Sequence, residues 1–162
     1  MRLQRYVAIN GMLAAVYAVM TVITSAIAYG PIQFRFSEIL LFFAFYNRRY
    51  IPGLAIGTLL ANLYSPAGFL DVLMGSVATI IVCCAIYLVK SKYWVPVIAA
   101  IVNGAIVGWM LYLVFEVPMM EAMWTVALGE FVVVVVGLVI FKLLANHQQV
   151  MKLLKDNDPK WN

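Results

Sequence analysis

The sequence is short of charged residues. Only 11% of its 162 residues are charged, whereas 65% are apolar, and the mean hydropathy is +0.98. So little polar surface cannot cover a soluble globule, which excludes an ordinary soluble domain. We therefore predict an integral membrane protein of the all-α class, because a helix satisfies its own backbone hydrogen bonds in lipid.

The residues that enzymes and pumps need are scarce as well. The phosphate-binding pattern Gly-x-x-x-x-Gly-Lys-Ser/Thr is absent, so the chain is not expected to hydrolyse ATP by itself. The single histidine, His147, lies in a polar tail without ligands or a base beside it. Cys83 and Cys84 are adjacent, which makes a disulfide between them geometrically poor. We expect no enzyme activity, no cofactor and no metal site.

Long apolar runs dominate what is present. Six of them are predicted to form a six-helix membrane bundle, one domain over residues 1–162, with approximate spans 7–29, 34–46, 50–64, 72–89, 95–115 and 123–144. The second and third runs would reach only about 17 to 23 Å at 1.5 Å per residue. That is less than the ~30 Å hydrocarbon core, so these two spans either tilt little or need an irregular loop to complete the crossing.

The basic residues set the predicted orientation. With a cytoplasmic amino terminus, ten of the eleven fall on cytoplasmic segments, as the positive-inside rule requires. Both termini are then cytoplasmic, and a nucleic-acid partner is not needed to explain the net charge of +4. The ten residues are Arg2, Arg5, Arg48, Arg49, Lys90, Lys92, Lys142, Lys152, Lys155 and Lys160.

Glu130 is the one full charge well inside the sixth predicted span. A carboxylate at that depth costs roughly 2.5 to 3.5 kcal/mol on insertion scales, so it is expected to face the bundle and to have a partner. We favour contact with a ligand. The alternative is a structural hydrogen bond to Asn103 or Trp109 on the neighbouring span.

A second group of polar residues lies towards the outer side: Gln33, Arg35, Glu38, Asn62 and Asp71. Each is a candidate for substrate binding, together with Asn103, Trp109 and Glu130. The alternatives are a local ion pair between Arg35 and Glu38, which are three residues apart, and an N-cap role for Asp71. Asn62 and Asn103 have the further alternative of joining helices by hydrogen bonds.

Two other patterns point to partners. Aromatic residues occur at a similar depth to the carboxylates, and this combination suits a flat, nitrogen-rich heterocycle that stacks on a ring while its N–H groups reach a carboxylate. On the first span, Gly11, Ala14, Ala15 and Ala18 form a face of small residues. Such a face lets another helix approach closely, either within the bundle or from a partner protein.

Five stretches carry a resemblance to a known family: residues 30–41 (GPIQFRFSEILL), 51–63 (IPGLAIGTLLANL), 65–71 (SPAGFLD), 75–76 (GS) and 127–130 (ALGE). In them the chain resembles the QueT family, substrate-binding (S) components of energy-coupling factor (ECF) transporters. The resemblance implies a vitamin-type binder in the bacterial cytoplasmic membrane that captures a queuosine precursor, a 7-deazaguanine base, near the outer surface. It also implies docking through the small residues of the first span onto a membrane coupling subunit that carries two ATPase subunits.

Three alternatives to this function stay open. An S component for another vitamin, such as cobalamin, has the same fold, and fold does not fix the ligand. A solitary secondary carrier or channel would transport without ATPase partners. A small structural or assembly membrane protein would bind no small molecule.

Overall fold

The computed structural model describes residues 3–30, 32–155, 158 and 160. All regular structure in that part of the chain is helical, which confirms the all-α prediction. The described residues form eight α-helices: α1 (Leu3–Ile23), α2 (Ser25–Ala28), α3 (Leu41–Tyr46), α4 (Ile51–Asn62), α5 (Phe69–Leu88), α6 (Val95–Phe115), α7 (Met119–Leu144) and α8 (Gln148–Lys155). Three short 3-10 helices precede α3, α4 and α6: Phe36–Leu40, Arg48–Tyr50 and Lys92–Trp94.

Local sequence explains several of these boundaries. Pro52 and Pro96 lie in the first turns of α4 and α6, where a missing backbone N–H leaves no intrahelical bond unmade. α6 ends where Glu116 takes a left-handed conformation, with φ 55°. Thr24 separates α1 from α2, and its hydroxyl donates to the Met20 carbonyl at 2.7 Å.

Four helices among the described residues are long and apolar enough to cross a membrane, and they agree with a multi-pass membrane protein. They are the helices over Leu3–Ile23, Phe69–Leu88, Lys92–Phe115 and Met119–Leu144. The second and third predicted spans are shorter: an apolar helical stretch over Phe36–Tyr46, and α4 with 12 residues. Six membrane crossings therefore remain a prediction. Arg2, used above for the orientation, and Pro31, which belongs to the resembling stretch 30–41, lie outside the described residues.

The long helices pack in chain order around the short ones. α1 contacts α4, α4 contacts α5, α5 contacts α6, and α6 packs along α7. The stretch Phe36–Tyr46 lies among α1, α5 and α7 and supplies much of the core. Its Phe42 ring stacks on Phe141 of α7 with centroids 5.1 Å apart. A short, deeply buried helix thus brings the polar residues that precede it into the middle of the bundle.

One end of the bundle collects the residues that the charge pattern assigns to the cytoplasm. The Asn10 amide donates to the Arg49 carbonyl at 3.0 Å and accepts from the Gly53 N–H at 2.8 Å, which ties α1 to α4. The buried Asp158 carboxylate of the tail accepts from the Arg48 N–H at 3.1 Å and from the Tyr87 hydroxyl at 2.9 Å. The tail therefore packs under the end opposite to the predicted binding residues.

Candidate substrate-binding site

Arg35 and Asp71 form a buried ion pair. The Arg35 Nη2 lies 3.0 Å from the Asp71 Oδ2 and 3.4 Å from the Oδ1, and the two side chains are 6% and 1% exposed. A buried guanidinium needs such a partner, because an unpaired charge in a low-dielectric interior is costly. The pair joins the segment before the first 3-10 helix to the first turn of α5.

The two alternative roles considered for these residues, an ion pair between Arg35 and Glu38 and an N-cap role for Asp71, are both wrong. Arg35 does not share a helical face with Glu38, because the 3-10 helix begins at Phe36 and Arg35 has extended backbone (φ −86°, ψ 91°). Asp71 does not cap α5, because Gly68 occupies the N-cap position and Asp71 already lies inside the helix. Each side chain is directed to the other by tertiary packing instead.

Asn62 belongs to the same cluster. Its Nδ2 donates to the Asp71 backbone carbonyl at 2.9 Å, and the residue is fully buried at the end of α4. A Cβ atom at Gly75 would lie 2.5 Å from that nitrogen and 2.6 Å from the Asp71 Oδ1. Gly75 therefore leaves the space on α5 that the Asn62 amide and the Asp71 carboxylate occupy.

Glu38 is held by α1, which the sequence did not indicate. The Tyr17 hydroxyl donates to the Glu38 Oε1, and both residues are buried. One turn further along α1, the Thr21 hydroxyl lies 2.7 Å from the Ser37 hydroxyl. The available sequence signal was a tyrosine in the middle of an apolar span, because a buried phenolic O–H usually finds a polar partner.

Glu130 faces the interior from α7 and is 3% exposed. Asn103 on α6 lies within hydrogen-bonding reach of its carboxylate, which agrees with the structural alternative given above, and Glu38 lies close enough to interact with it electrostatically. Trp109 is 48% exposed, so it does not line this buried cluster. A Cβ atom at Gly129 would lie 2.6 Å from the Gln33 carbonyl oxygen, so the Gln33 segment rests directly on α7 beside Glu130.

Five buried polar atoms within the described residues have no hydrogen-bond partner. They are the Arg35 Nε, Glu38 Oε2, Asn62 Oδ1, Ser76 Oγ and Glu130 Oε1. An unsatisfied buried group costs about 1–3 kcal/mol, and native interiors contain few of them. The set combines one N–H donor, three oxygen acceptors and a hydroxyl that can do either, which is the capacity needed to bind a polar solute. Ser76 was not among the predicted site residues.

A cavity of about 400 Å³ opens at the end of the bundle where the predicted outer loops meet. Tyr29 lines it and also covers the ion pair, since the Arg35 guanidinium carbon lies 5.3 Å from the Tyr29 ring centroid. The volume is within the usual range for small-molecule sites, but none of the predicted substrate-binding residues lines this cavity. The remaining lining residues are Gly30, Pro66, Leu111, Phe115, Val117, Glu121, Ala122 and Thr125.

The small-residue face of α1 divides into two parts. Gly11 and Ala15 are exposed and Ala18 is half-buried, so these residues remain available to a partner. Ala14 is 4% exposed and packs on α4, where a Cβ atom at Gly57 would lie 3.0 Å from the Ala14 carbonyl oxygen. Packing within the bundle therefore accounts for Ala14, and the predicted docking role falls to the other three residues.

The sequence matches a known protein family. The family model described as QueT transporter matches residues 7–146. Over 70 residues, the chain is 44% identical to the "Queuosine precursor transporter QueT" of Lactococcus lactis subsp. cremoris (strain MG1363). That alignment covers 42% of this chain and 41% of the relative, so it spans less than half of the relative's length. No solved structure gives a significant match.

Proposed function

This chain belongs to the QueT transporter family, and from that premise we propose that it is the membrane-embedded substrate-binding subunit of an ECF-type transporter for a queuosine precursor. The family is one of transporters, which confirms the prediction that the chain is not an enzyme. The observation that carries the proposal is the set of five partnerless polar atoms buried on four different segments of the bundle. A polar solute bound among them would complete their hydrogen bonds.

The proposed substrate is a 7-deazaguanine base, and its chemistry fits this set. The edge of the base offers N–H donors, which the Glu38 Oε2 and Glu130 Oε1 can accept. Its ring carbonyl accepts, which suits the Arg35 Nε or the Ser76 hydroxyl. Tyr29 supplies an aromatic wall between the cavity and the ion pair, against which a flat ring can stack.

A titration of the purified protein in detergent tests the substrate class. We expect saturable, one-to-one binding of 7-deazaguanine by calorimetry, because the partnerless donor and acceptors of the cluster match the N–H groups and the ring carbonyl of this base. Cobalamin is the control from another vitamin class. Saturable cobalamin binding without binding of any 7-deazaguanine would contradict the proposed substrate.

The orientation and partners form the second part of the proposal. Six crossings with both termini in the cytoplasm place Arg48, Arg49 and the tail inside, as the positive-inside rule favours. The cavity then opens to the outside. The chain carries no nucleotide-binding motif, so a coupling subunit with two ATPase subunits would supply the energy. In this arrangement the protein works as one domain in the bacterial cytoplasmic membrane.

A bulky residue on the exposed part of α1 should separate binding from transport. We expect Ala15→Phe to leave 7-deazaguanine affinity within about twofold but to lower uptake at least ~10-fold in cells that contain the ATPase subunits, because small residues permit close helix contact. Ala105→Phe is the matched control, since Ala105 is an exposed alanine on α6. Equal uptake by both variants would contradict docking at α1, and uptake without ATPase subunits would favour a solitary carrier.

A further inference from the structure

Tyr17 is the buried group that the proposed site leaves unexplained. It is fully buried in the middle of α1, and its hydroxyl donates to one oxygen of Glu38. Thr21, one turn later, is bonded to Ser37, the residue before Glu38. Two successive turns of α1 thus hold two successive residues of the 3-10 helix that carries the carboxylate.

Tyr17 is held in position by close packing against α4. A Cβ atom at Gly57 of α4 would lie 2.7 Å from the Tyr17 Cβ, so the base of the tyrosine side chain packs against backbone that cannot move far. A tyrosine has only two side-chain torsions, whereas a glutamate has three. A rigid, fully packed ring therefore orients a more flexible carboxylate.

The two oxygens of Glu38 differ as a result. The Oε1 is occupied by the Tyr17 hydroxyl, and the Oε2 is buried without a partner. On α7, the Glu130 Oε1 is likewise buried without a partner, and Glu38 lies close enough to Glu130 for the two carboxylates to interact electrostatically. Each carboxylate thus presents one open oxygen towards the interior.

We propose that Tyr17 is a specificity-determining positioning residue, which occupies one oxygen of Glu38 so that this carboxylate reads a single N–H donor of the ligand. The second donor of a guanine-like edge is then left to Glu130. This inference rests on the proposed function, because it concerns how the same site discriminates among 7-deazapurines. Tyr17 itself does not touch the ligand.

The test compares Tyr17→Phe with Glu38→Gln and Glu130→Gln. Calorimetry measures the affinity of each variant and of the wild type for 7-deazaguanine, for 7-deazahypoxanthine, which lacks the 2-amino group, and for N1-methyl-7-deazaguanine. We expect Tyr17→Phe to lose about tenfold in affinity for 7-deazaguanine. The loss should be less than twofold for the analogue that lacks the donor read by Glu38, which is 7-deazahypoxanthine if that donor is the 2-amino group and the N1-methyl base if it is the N1–H. Its pattern across the three ligands should follow Glu38→Gln and differ from Glu130→Gln.

Two controls separate positioning from a general structural role. Thr21→Val removes the neighbouring contact to Ser37 and is expected to lower all three affinities by the same factor. Tyr17→4-aminophenylalanine keeps a donor at the same place and is expected to restore the wild-type pattern, which also keeps the inference testable if Tyr17→Phe does not fold.

Each of the following results would overturn the inference. One is an equal loss by Tyr17→Phe for all three ligands, and another is a pattern that follows Glu130→Gln. The third is a folded 4-aminophenylalanine variant without the wild-type pattern. A wild-type protein that binds none of the 7-deazapurines would overturn the proposed function as well, whereas binding with an unchanged pattern in Tyr17→Phe overturns only this inference.

Discussion

Glu130→Gln is expected to weaken 7-deazaguanine binding about 10- to 150-fold, and Glu38→Gln by a similar factor. A hydrogen bond to a charged group contributes about 1.5–3 kcal/mol, and each variant removes one charged acceptor with an open oxygen. The glutamine also turns one acceptor into an N–H donor that opposes the N–H groups of the ligand. Calorimetry on protein in detergent measures both affinities.

Expression of these two variants should be unchanged, because an amide is less costly than a carboxylate to bury. Glu116→Gln is the matched control: Glu116 is exposed and lies at the end of α6, away from the buried cluster. We expect its affinity to stay within about twofold of the wild type, since an exposed carboxylate contributes little to a buried contact. Unchanged affinity in both Glu130→Gln and Glu38→Gln would remove the proposed site.

The sequence predicts the long helices well because their signal is local. The predicted span 95–115 coincides with α6, and 72–89 and 123–144 differ from α5 and α7 by a few residues at their ends. The two short spans are less well defined by sequence. Their apolar runs are interrupted by charges, and the helical stretch over Phe36–Tyr46 is stabilised by burial among α1, α5 and α7.

The predicted site residues are mostly buried in the structure, but their partners could not be predicted. Gln33, Arg35, Glu38, Asn103 and Glu130 stand out because polar groups are rare in apolar spans, and that is a property of the sequence. Which groups meet depends on how the helices pack.

Three outcomes show this dependence on packing. Local spacing favoured Glu38 as the partner of Arg35, whereas the structure pairs it with Asp71, 36 residues away in sequence. A tryptophan such as Trp109 can lie either in the bundle interior or on its surface, and the packing of the helices places it on the surface. Tyr17 donates to Glu38 only because α1 and the 3-10 helix that carries Glu38 pack against each other in the folded protein.

The Arg35–Asp71 pair leads to the largest expected change in stability. Asp71→Asn leaves the buried Arg35 guanidinium without its ion-pair partner, and Arg35→Met does the same to the Asp71 carboxylate. Breaking one side of a buried pair costs about 3–5 kcal/mol, so each single variant should unfold at a markedly lower temperature in detergent. Arg5→Met, at an exposed arginine of α1, is the control and should change the Tm little.

The double variant Arg35→Met/Asp71→Asn separates the structural and the binding roles of this pair. It removes both charges together, and replacing a buried pair by uncharged residues is often neutral for stability, so its Tm should return close to that of the wild type. Its affinity for 7-deazaguanine should nevertheless stay low, because the Arg35 Nε, an open donor of the site, is gone. Additive losses of Tm would show that the two residues stabilise the fold independently. If the affinity recovers together with the Tm, the ion pair serves only to hold the segment around Arg35 on α5 and does not contribute to binding.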